Sequence, residues 1–568
     1  MIPDIITKSS ETLVFIGAGA TAALGMPTTD RQAELFRKLI AANTSISKAL
    51  LEFGFYADKR RNMLVAFLEF LGGRVNNQLN LVTAKDIANA KIAFDISSAS
   101  IDNCLLKERI LELRHCYDWM ALREVLKICP HNEQKDNLVR DVYTLLDKKI
   151  LSKQGLKFSF KKGSKDEVTV LPYMRLLGAR NMLTLLISIL FAEAWQKICD
   201  GDKSDVFVKY EKFAETFSRM MQKESIDFCH KSSRLEDHSF TLFSTSFVSF
   251  NFELAFLWLL YNKNRLRNRE CFYIHEANRL NLWLDMGCLH KRRSVSLDPK
   301  RHKSGYFGTT FDETSASRLN NCNLPKATVA RVGKFLFAHG SSNWRECSAC
   351  GRMLFYLGDE WKLKSKTLNP PFPIPLYKDF IRTEKEEKWK KELKFDALEC
   401  PACGAESYSA DAPMVMQSLF KGTPTSFIEE IQREVKVALD NARHIVLLGY
   451  GLPIDDIVWQ QIFSEAVRCR INSEEKAYCS VVVGTKGPHR WLKGEELYKH
   501  INAYRSSSQS EEYGITPIEN VIAIFGKENV RAYTAGIPDV FGDSTEQDMQ
   551  NLLYPGDFVN WTGTRLGE

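Results

Sequence analysis

Four cysteines stand in two pairs in the second half of the chain, Cys347-x-x-Cys350 and Cys400-x-x-Cys403. Two such pairs let four thiolates reach one tetrahedral Zn2+ ion, and Gly404 suits the tight turn behind the second pair. The 49 residues between Cys350 and Cys400 exceed the usual spacing of about 15–20 residues, so we expect an insertion to loop out between the pairs. Because the four thiolates leave no ligand position open, the sequence predicts a structural zinc. Unrelated reduced thiols are the alternative.

A glycine-rich loop follows the first apolar strand pattern, which is TLVFI at residues 12–16. Gly17, Gly19 and Ala22 match the G-x-G-x-x-G/A pattern, which lets a dinucleotide pyrophosphate approach backbone N–H groups at a helix start. A glycine turn without a ligand is the alternative for so short a match. A dehydrogenase would also place an acidic residue about 20 residues further on, after a second strand. A helical pattern occupies that region, so a standard hydride-transfer enzyme is disfavoured.

Two polar side chains follow strand patterns later in the chain. Asn251 comes after the pattern Phe240–Phe250, and His339 comes after Ala330–Phe337. Ligands bind at the carboxyl ends of parallel strands, so both side chains are candidates for a site there. A histidine can take a proton from a sugar hydroxyl near neutral pH, and an asparagine can hydrogen-bond a hydroxyl and a water. A helix cap explains Asn251 equally well, and a buried structural histidine is the alternative for His339.

Strand and helix patterns alternate around these residues. Further strands are predicted over His444–Gly449, Ala477–Gly484, Val521–Phe525 and Val530–Tyr533, and a helix over Ser426–Leu439. Parallel strands need crossover connections, so this alternation predicts an α/β fold with a Rossmann-like, doubly wound parallel sheet.

Residues 45–235 have a different character, with repeated helical patterns and almost no convincing strand. The helical patterns cover Ile110–Ile128, Asn137–Leu151, Met174–Ile198 and Val206–Met221. The most apolar run, residues 182–195, contains Glu193 and is too short to span a bilayer, so we expect a buried helix. The sequence therefore predicts a large helical insertion in the α/β core.

The composition of the 568-residue chain is that of an ordinary globular protein, with 44% hydrophobic and 26% charged residues. Lys and Arg number 77 against 70 Asp and Glu, and a net charge of +7 is mild for this length. Residues 262–303 are basic and include Phe272, Tyr273 and Trp283, but a solvated insertion loop is favoured over a nucleic-acid site. The N-terminus has no secretory signal pattern, so we expect a cytoplasmic protein without membrane association.

The motifs occur in the order found in the sirtuin family, which the chain resembles over residues 12–31 and roughly 240–540. The matching segments are Gly17-Ala18-Gly19-Ala20-Thr21, Gly25-Met26-Pro27, Ser249-Phe250-Asn251-Phe252-Glu253, His339-Gly340, the four paired cysteines and Leu447-Leu448-Gly449-Tyr450-Gly451-Leu452. A minimal sirtuin has no counterpart of the helical block.

The resemblance implies a sirtuin-type Rossmann-like domain that binds NAD+ and carries a small zinc module. Asn251 would hold the nicotinamide ribose and orient a water, and His339 would act as base toward a ribose hydroxyl. The residues implied to approach NAD+ are Gly17, Ala18, Gly19, Thr21, Pro27, Ser249, Glu253, Gly449, Gly451 and Gly484.

The departures from the family favour one activity over another. Residues 28–30 read TTD where deacylating sirtuins have Asp-Phe-Arg, and the sequence after Cys403 lacks a clear motif for an acyl-lysine peptide. Hydrolysis of NAD+ needs only an ordered water at the same anomeric carbon, so we expect an NAD+ hydrolase. An NAD-dependent protein deacylase is the first alternative, and a nucleic-acid or partner-binding module without catalysis is the second.

Sirtuin-like domains enlarged by helical blocks are similar to those of prokaryotic antiphage defence systems, and this layout most resembles the sirtuin component of sirtuin–HerA systems. That resemblance implies NAD+ depletion in abortive infection, a homo-oligomer, and a HerA-like ATPase as candidate partner. The expected organisation is a first βα unit at 1–44, a helical insertion at 45–239, the continued Rossmann domain at 240–345, a zinc-knuckle module at 346–405, the Rossmann remainder at 406–545, and a C-terminal tail at 546–568.

Overall fold

The computed structural model describes residues 10–41, 59–72, 81–93, 103–129, 138–162, 165–201, 204–228, 243–273, 280–286, 328–342, 344–347, 349–355, 412–416, 418–421, 424–453, 456–470, 476–485, 487–506 and 515–559. The strands in this part of the chain are β1 (Thr12–Ile16), β2 (Leu156–Lys162), β3 (Lys165–Leu171), β4 (Thr245–Ser249), β5 (Leu280–Asp285), β6 (Thr328–Phe337), β7 (Trp344–Glu346), β8 (Met353–Phe355), β9 (His444–Leu448), β10 (Tyr478–Val482), β11 (Trp491–Lys493) and β12 (Val530–Tyr533).

Eight of these strands form one sheet in the order β11-β12-β10-β9-β1-β4-β6-β5. Seven strands run parallel, and β11 pairs antiparallel with β12 at one edge. The central strands β1, β4 and β9 are buried along their whole length. Burial on both faces explains why β1 and β9 read as continuous apolar runs rather than as alternating patterns. The predicted α/β fold with a mostly parallel sheet is confirmed, and its topology is compatible with a Rossmann-like fold.

The described helices are α1 (Gly19–Ala22), α2 (Thr29–Ala41), α3 (Lys59–Leu71), α4 (Ala84–Ala93), α5 (Asn103–Cys116), α6 (Trp119–Ile128), α7 (Leu138–Leu151), α8 (Tyr173–Asp200), α9 (Asp205–Phe228), α10 (Ala255–Tyr273), α11 (Ser426–Asn441), α12 (Ile457–Arg468), α13 (Gly494–Ser506), α14 (Thr516–Phe525) and α15 (Glu546–Leu553). Helices α9, α11, α14 and α15 pack directly on strands of the sheet.

The order of the strands reverses next to β1. The chain passes from β1 to β4 and on to the β5 edge, and it later returns to β9 on the opposite side of β1. In open parallel sheets such a reversal is where ligands bind, outside the carboxyl ends of the strands. The loops that follow β1 and β9 therefore occupy the position from which a binding site is expected.

The helical block contains an antiparallel hairpin of β2 and β3, so the prediction of almost no strand there is wrong. Val168 and Val170 on β3 remain exposed, and lysines end β2 and begin β3 at the turn. A hairpin that buries so little apolar surface gives only a weak alternating pattern. The pattern over Ile110–Ile128 is also two helices, because Asp118 caps α6 by accepting the N–H of Ala121 at 2.8 Å.

The segment Val521–Phe525 lies in α14, so the predicted strand there is wrong. Short apolar runs do not distinguish a buried strand from a buried helix by periodicity alone. Pro517 in the first turn of α14 is the local signal that favours the helix, since proline is well accommodated there.

Part of the basic stretch 262–303 forms regular secondary structure and not a solvated loop. Residues 262–273 belong to α10, and residues 280–285 form the edge strand β5. Lys263 lies 3.6 Å from Glu215 and 3.9 Å from Glu211 on the adjacent helix α9. For these residues the expected insertion loop is therefore corrected to a helix and a strand of the core; residues 287–303 lie outside the described part.

Helix α8 is long and apolar enough to cross a membrane by length and composition, and 72% of its most apolar window is buried within the protein. It packs against α6 and α7, and its side chains from Met182 to Trp195 are largely buried. This confirms the predicted buried helix.

At the other end of the chain, part of the predicted C-terminal tail is α15, which packs on β9. The Thr12 hydroxyl donates to the Leu553 carbonyl at 2.9 Å.

Candidate active site

The loops after β1 and β9 lie directly against each other at the carboxyl edge of the sheet. The N–H of Gly17 donates to Leu448 at 3.0 Å, and the N–H of Gly19 donates to Gly449 at 3.1 Å. A Cβ on Gly17 would lie 2.5 Å from the Gly449 carbonyl oxygen, and one on Gly449 would lie 2.2 Å from the Ala20 nitrogen. Gly449 also has a φ of +59°, which favours glycine. The close approach of the two backbones therefore requires glycine at both positions.

The outer surface of the first loop is formed by Ala18 and Gly19, which are exposed. Thr21 points inward instead: it is 1% exposed, and its hydroxyl donates to Glu253 Oε1 at 2.9 Å. The N–H groups of Gly17 and Gly19 are already engaged with the second loop. A ligand at this loop would therefore meet the Ala18–Gly19 surface. Thr21 supports the loop from the protein interior through its hydrogen bond to Glu253.

Asn251 lies two residues after β4, and its amide is held in a fixed orientation. Its Nδ2 donates to the Gly17 carbonyl at 3.0 Å and to Glu253 Oε1 at 2.8 Å. Both partners are acceptors, so the amide must present its NH2 group to them and turn Oδ1 the other way. The backbone N–H of Asn251 donates to the Ser249 hydroxyl at 3.1 Å. Asn251 is 7% exposed, and its side-chain carbonyl oxygen takes part in none of these contacts.

Glu253 lies beneath Asn251 and connects it to the next helix. Its Oε2 accepts the backbone N–H of Ala255, the first residue of α10, at 2.6 Å. The helix-cap alternative for Asn251 is therefore wrong, because Glu253 bonds the helix start instead. Burial raises the pKa of Glu253, while hydrogen bonds from Ala255, Thr21 and Asn251 act in the opposite direction. Glu253 fixes both Asn251 and Thr21 and is itself buried, so it supports the site from inside.

His339 follows β6 in a tight turn and is 5% exposed. Its ring centroid lies 4.8 Å from that of Phe250 and 6.4 Å from those of Phe252 and Trp459. Its Nε2 has no hydrogen-bond partner within the described part of the chain, and it lies 3.6 Å from Asp456 Oδ1. A buried nitrogen without a partner is costly, so it marks a position where a donor from outside is expected.

The environment of His339 keeps its imidazole neutral. Burial lowers the pKa of His339 to about 4, with the Lys421 ammonium acting in the same direction and the Asp456 carboxylate opposing both. At neutral pH the side chain is therefore uncharged and able to accept a proton.

The strands β4 and β6 bring Asn251 and His339 to one edge of the sheet. Ser249 and Phe337 are partners in the register of these strands, and the Ala338 N–H donates to the Ser249 carbonyl at 3.1 Å. Beyond the strands, the Ser342 N–H donates to the Phe252 carbonyl at 2.9 Å. The structure thus holds the two turns together, as the two candidate catalytic residues require.

Three charged or polar residues of this site were not predicted from the sequence. Asp456 directly precedes α12 and is buried; Lys421 donates to its Oδ1, and the Tyr450 hydroxyl donates to its Oδ2 at 3.0 Å. A carboxylate shortly after β9 and before a helix was a usable signal for Asp456. Lys421 carries no such local signal, because its contact joins residues 35 positions apart.

The helical block also contacts the glycine loop. The Tyr210 hydroxyl on α9 donates to the carbonyl of Ala20, and its ring packs against Phe256 and Phe541. Burial raises the pKa of Tyr210, so it remains a hydrogen-bond donor at neutral pH. The block is therefore part of the support of the candidate site and not a separate appendage.

The remaining predicted residues lie around the same edge. Pro27 is buried just before α2, and Gly451 accepts a hydrogen bond from Asn520 at 3.4 Å. Gly484 follows β10 and forms an isolated antiparallel bridge with Ala535. Because β10 is two strands away from β1, Gly484 lies further from His339 along the sheet than Gly449 does.

The first cysteine pair lies in the turn between β7 and β8, which pair antiparallel. The Cys347 N–H donates to Arg352 at 2.8 Å, and Gly351 adopts a φ of +67° directly after Cys350. Such a tight hairpin turn suits a metal-binding knuckle. Cys400 and Cys403 lie outside the described residues. Within the residues that are described, no group of three or more metal-ligating side chains occurs.

The site thus combines a neutral buried imidazole, an oriented amide and two interlocked glycine loops where the strand order reverses. These groups can accept a proton, position a hydroxyl or water, and receive an extended polar ligand across the loops. Neither a protein-family model nor a curated protein matches the chain.

Proposed function

We propose that the protein is an NAD+ hydrolase with a sirtuin-type Rossmann-like domain. The observation that carries the proposal is the placement of Asn251 and His339 at the carboxyl ends of adjacent strands, beside the interlocked loops at Gly17 and Gly449. A dinucleotide bound at the reversal of strand order would reach both side chains.

In the proposed reaction, water attacks the anomeric carbon of the nicotinamide ribose. The bond to nicotinamide breaks with its electron pair staying on the nicotinamide nitrogen, and ADP-ribose and one proton are the other products. Asn251 Oδ1, turned away from Gly17 and Glu253, orients the water or a ribose hydroxyl. His339 Nε2, which is neutral and unpartnered within the described residues, accepts a proton from a ribose hydroxyl as that hydroxyl takes one from the attacking water, and the proton then passes to solvent.

The sequence resemblance extends this proposal to biological context. NAD+ depletion in antiphage defence, a homo-oligomeric assembly and a HerA-like ATPase partner are proposed on that resemblance. The contact between Tyr210 and the Ala20 carbonyl supports a link between the helical block and the loop that would bind the dinucleotide.

The first experiment incubates the purified protein with NAD+ alone and follows nicotinamide and ADP-ribose by chromatography. We expect release of both products without any acylated peptide, and an Asn251→Ala variant is expected to release neither above background. A parallel sample contains an acetyl-lysine peptide. Turnover only in that sample would replace the hydrolase with a deacylase, and equal turnover by Asn251→Ala would remove Asn251 from the reaction.

The pH dependence of the activity provides a separate test. Burial lowers the pKa of His339 to about 4. At pH 5.5 the imidazole is therefore neutral in about 97% of the molecules, whereas an ordinary histidine is neutral in about 10%. We therefore expect kcat/KM at pH 5.5 to stay close to its value at pH 7.5. A loss of activity centred near pH 6.5, with the protein still folded by circular dichroism, would contradict the neutral buried base.

For the zinc module we propose that Cys347, Cys350, Cys400 and Cys403 hold one structural Zn2+. The hairpin turn at Cys347–Cys350 supports the first half of this site. Purified protein is expected to contain about one equivalent of zinc, and Cys347→Ser is expected to lose both metal and stability, because metal binding contributes to folding free energy. Elemental analysis and thermal unfolding measure the two effects. Metal-free protein with unchanged stability would refute the site.

A further inference from the structure

The Asp456 carboxylate stands between two basic side chains. Lys421 donates to its Oδ1, and His339 Nε2 lies 3.6 Å from the same oxygen without a hydrogen bond. Tyr450 donates to the other oxygen and fixes the carboxylate plane. Asp456 is 4% exposed, so its charge acts on His339 through protein and not through bulk water.

Lys421 is held in place by a contact with the helical block. Residues 418–421 form a short segment in which the Leu419 N–H donates to the Thr144 hydroxyl on α7 at 3.1 Å. Lys148, one turn further along α7, lies 5.6 Å from the ring centroid of Phe420. The segment that carries Lys421 is thus anchored on α7, while the Lys421 ammonium itself contacts Asp456.

The Lys421 ammonium opposes the effect that the Asp456 carboxylate has on the His339 imidazole. Burial lowers the pKa of His339, and Lys421 acts in the same direction. Burial acts to raise the pKa of Asp456, but the protonated form of His339, the Lys421 ammonium and the hydrogen bond from Tyr450 outweigh it and hold that pKa below its usual value. Within the described part of the chain, the charged groups that act on His339 are Asp456 and Lys421; Phe250, on the other side, contributes a ring and a backbone hydrogen bond.

We propose that Asp456 is a positioning residue that stabilises the protonated form of His339 during the reaction, and that Lys421 neutralises this carboxylate in the resting enzyme. When a ribose hydroxyl gives its proton to Nε2, the imidazolium gains Asp456 Oδ1 as an ion-pair partner at the distance already present. The proton leaves to solvent with the products. The kinetic consequence rests on the proposed hydrolase function, whereas the electrostatic coupling does not.

The coupling is tested without NAD+ by titrating the protein with 13Cε1-labelled histidine in NMR. The chain has 11 histidines, and the His339→Ala spectrum identifies the resonance. In the wild type the His339 resonance is expected to stay constant from pH 8 to pH 5. In Lys421→Met it is expected to begin titrating within that range, because the pKa of His339 rises by about 1 or more once the opposing cation is removed.

Two further variants assign the effect to Asp456. The double variant Lys421→Met/Asp456→Asn removes both charges and is expected to restore a constant resonance. Lys436→Met, which removes an exposed lysine 3.4 Å from Glu465, is expected to match the wild type. A Lys421→Met resonance that stays constant down to pH 5, or one that titrates equally in the double variant, overturns the proposal.

The kinetic arm then measures NAD+ cleavage. Asp456→Asn is expected to lower kcat by at least about 10-fold with little change in KM, since the interaction is made only after proton transfer. Unchanged kcat in Asp456→Asn overturns the positioning role. Absence of NAD+ cleavage in the wild type, with the NMR coupling intact, would count against the hydrolase and leave the charge coupling established.

Discussion

Replacing His339 with alanine is expected to lower kcat for NAD+ cleavage by at least about 100-fold, the range lost when a positioned general base is removed. The residue is buried against aromatic rings, and its Nε2 has no other partner in the described structure. A water that replaced the imidazole would lack both its basicity and its fixed position. Initial rates of nicotinamide release at saturating NAD+ measure the effect.

The matched control for this variant is His489→Ala. His489 is exposed and pairs with Asp539 at 2.7 Å, near the β12 end of the sheet. We expect His489→Ala to keep the rate of the wild type. His339→Ala must also be shown to be folded by urea unfolding, because its removal leaves a cavity. A folded His339→Ala protein with more than about half of the wild-type rate would refute the assignment of the base.

The second large effect is expected from Gly449→Ala, which should lower the free energy of unfolding by roughly 3 kcal/mol or more. Two separate costs combine at this position. A φ of +59° is unfavourable for alanine, and the added Cβ would lie 2.2 Å from the Ala20 nitrogen and 2.7 Å from the Gly19 Cα. The backbone of the first loop would have to move, so urea unfolding is the direct measurement.

Two other glycines separate these costs. Gly494 has a φ of +55° with no atom within 4 Å of its Cβ position, so Gly494→Ala is expected to cost about 1–2 kcal/mol from conformation alone. Gly556 has neither a positive φ nor a neighbour within 4 Å, and Gly556→Ala is expected to change stability by less than about 0.5 kcal/mol. If Gly449→Ala costs no more than Gly494→Ala, the two loops do not pack as tightly as described.

Much of the core follows from local sequence. The apolar runs TLVFI and HIVLL predicted strands that the structure places side by side at the centre of the sheet. The glycine loop and the polar residues after strands pointed to one edge, because parallel strands share a carboxyl edge. Asn251 and His339 do follow neighbouring strands there, although their catalytic roles stay predictions.

Where local patterns were short or half-exposed, sequence reasoning failed. The run VIAIF was assigned to a strand and lies in α14, and the hairpin of β2 and β3 was missed. The two errors have different origins: VIAIF is too short for its periodicity to distinguish a helix from a strand, whereas the hairpin buries so little apolar surface that its alternation is weak.

The sequence by itself determined the sheet class, the glycine positions and the candidate base and amide, because each depends on residue type and on position relative to one strand. Only the tertiary structure decided what surrounds them. Tyr210 meets the Ala20 carbonyl across 190 residues, and Lys421 meets Asp456 across 35. Such contacts arise when distant segments share a buried, low-dielectric space, which no local pattern encodes. The protonation state of His339 depends on that space.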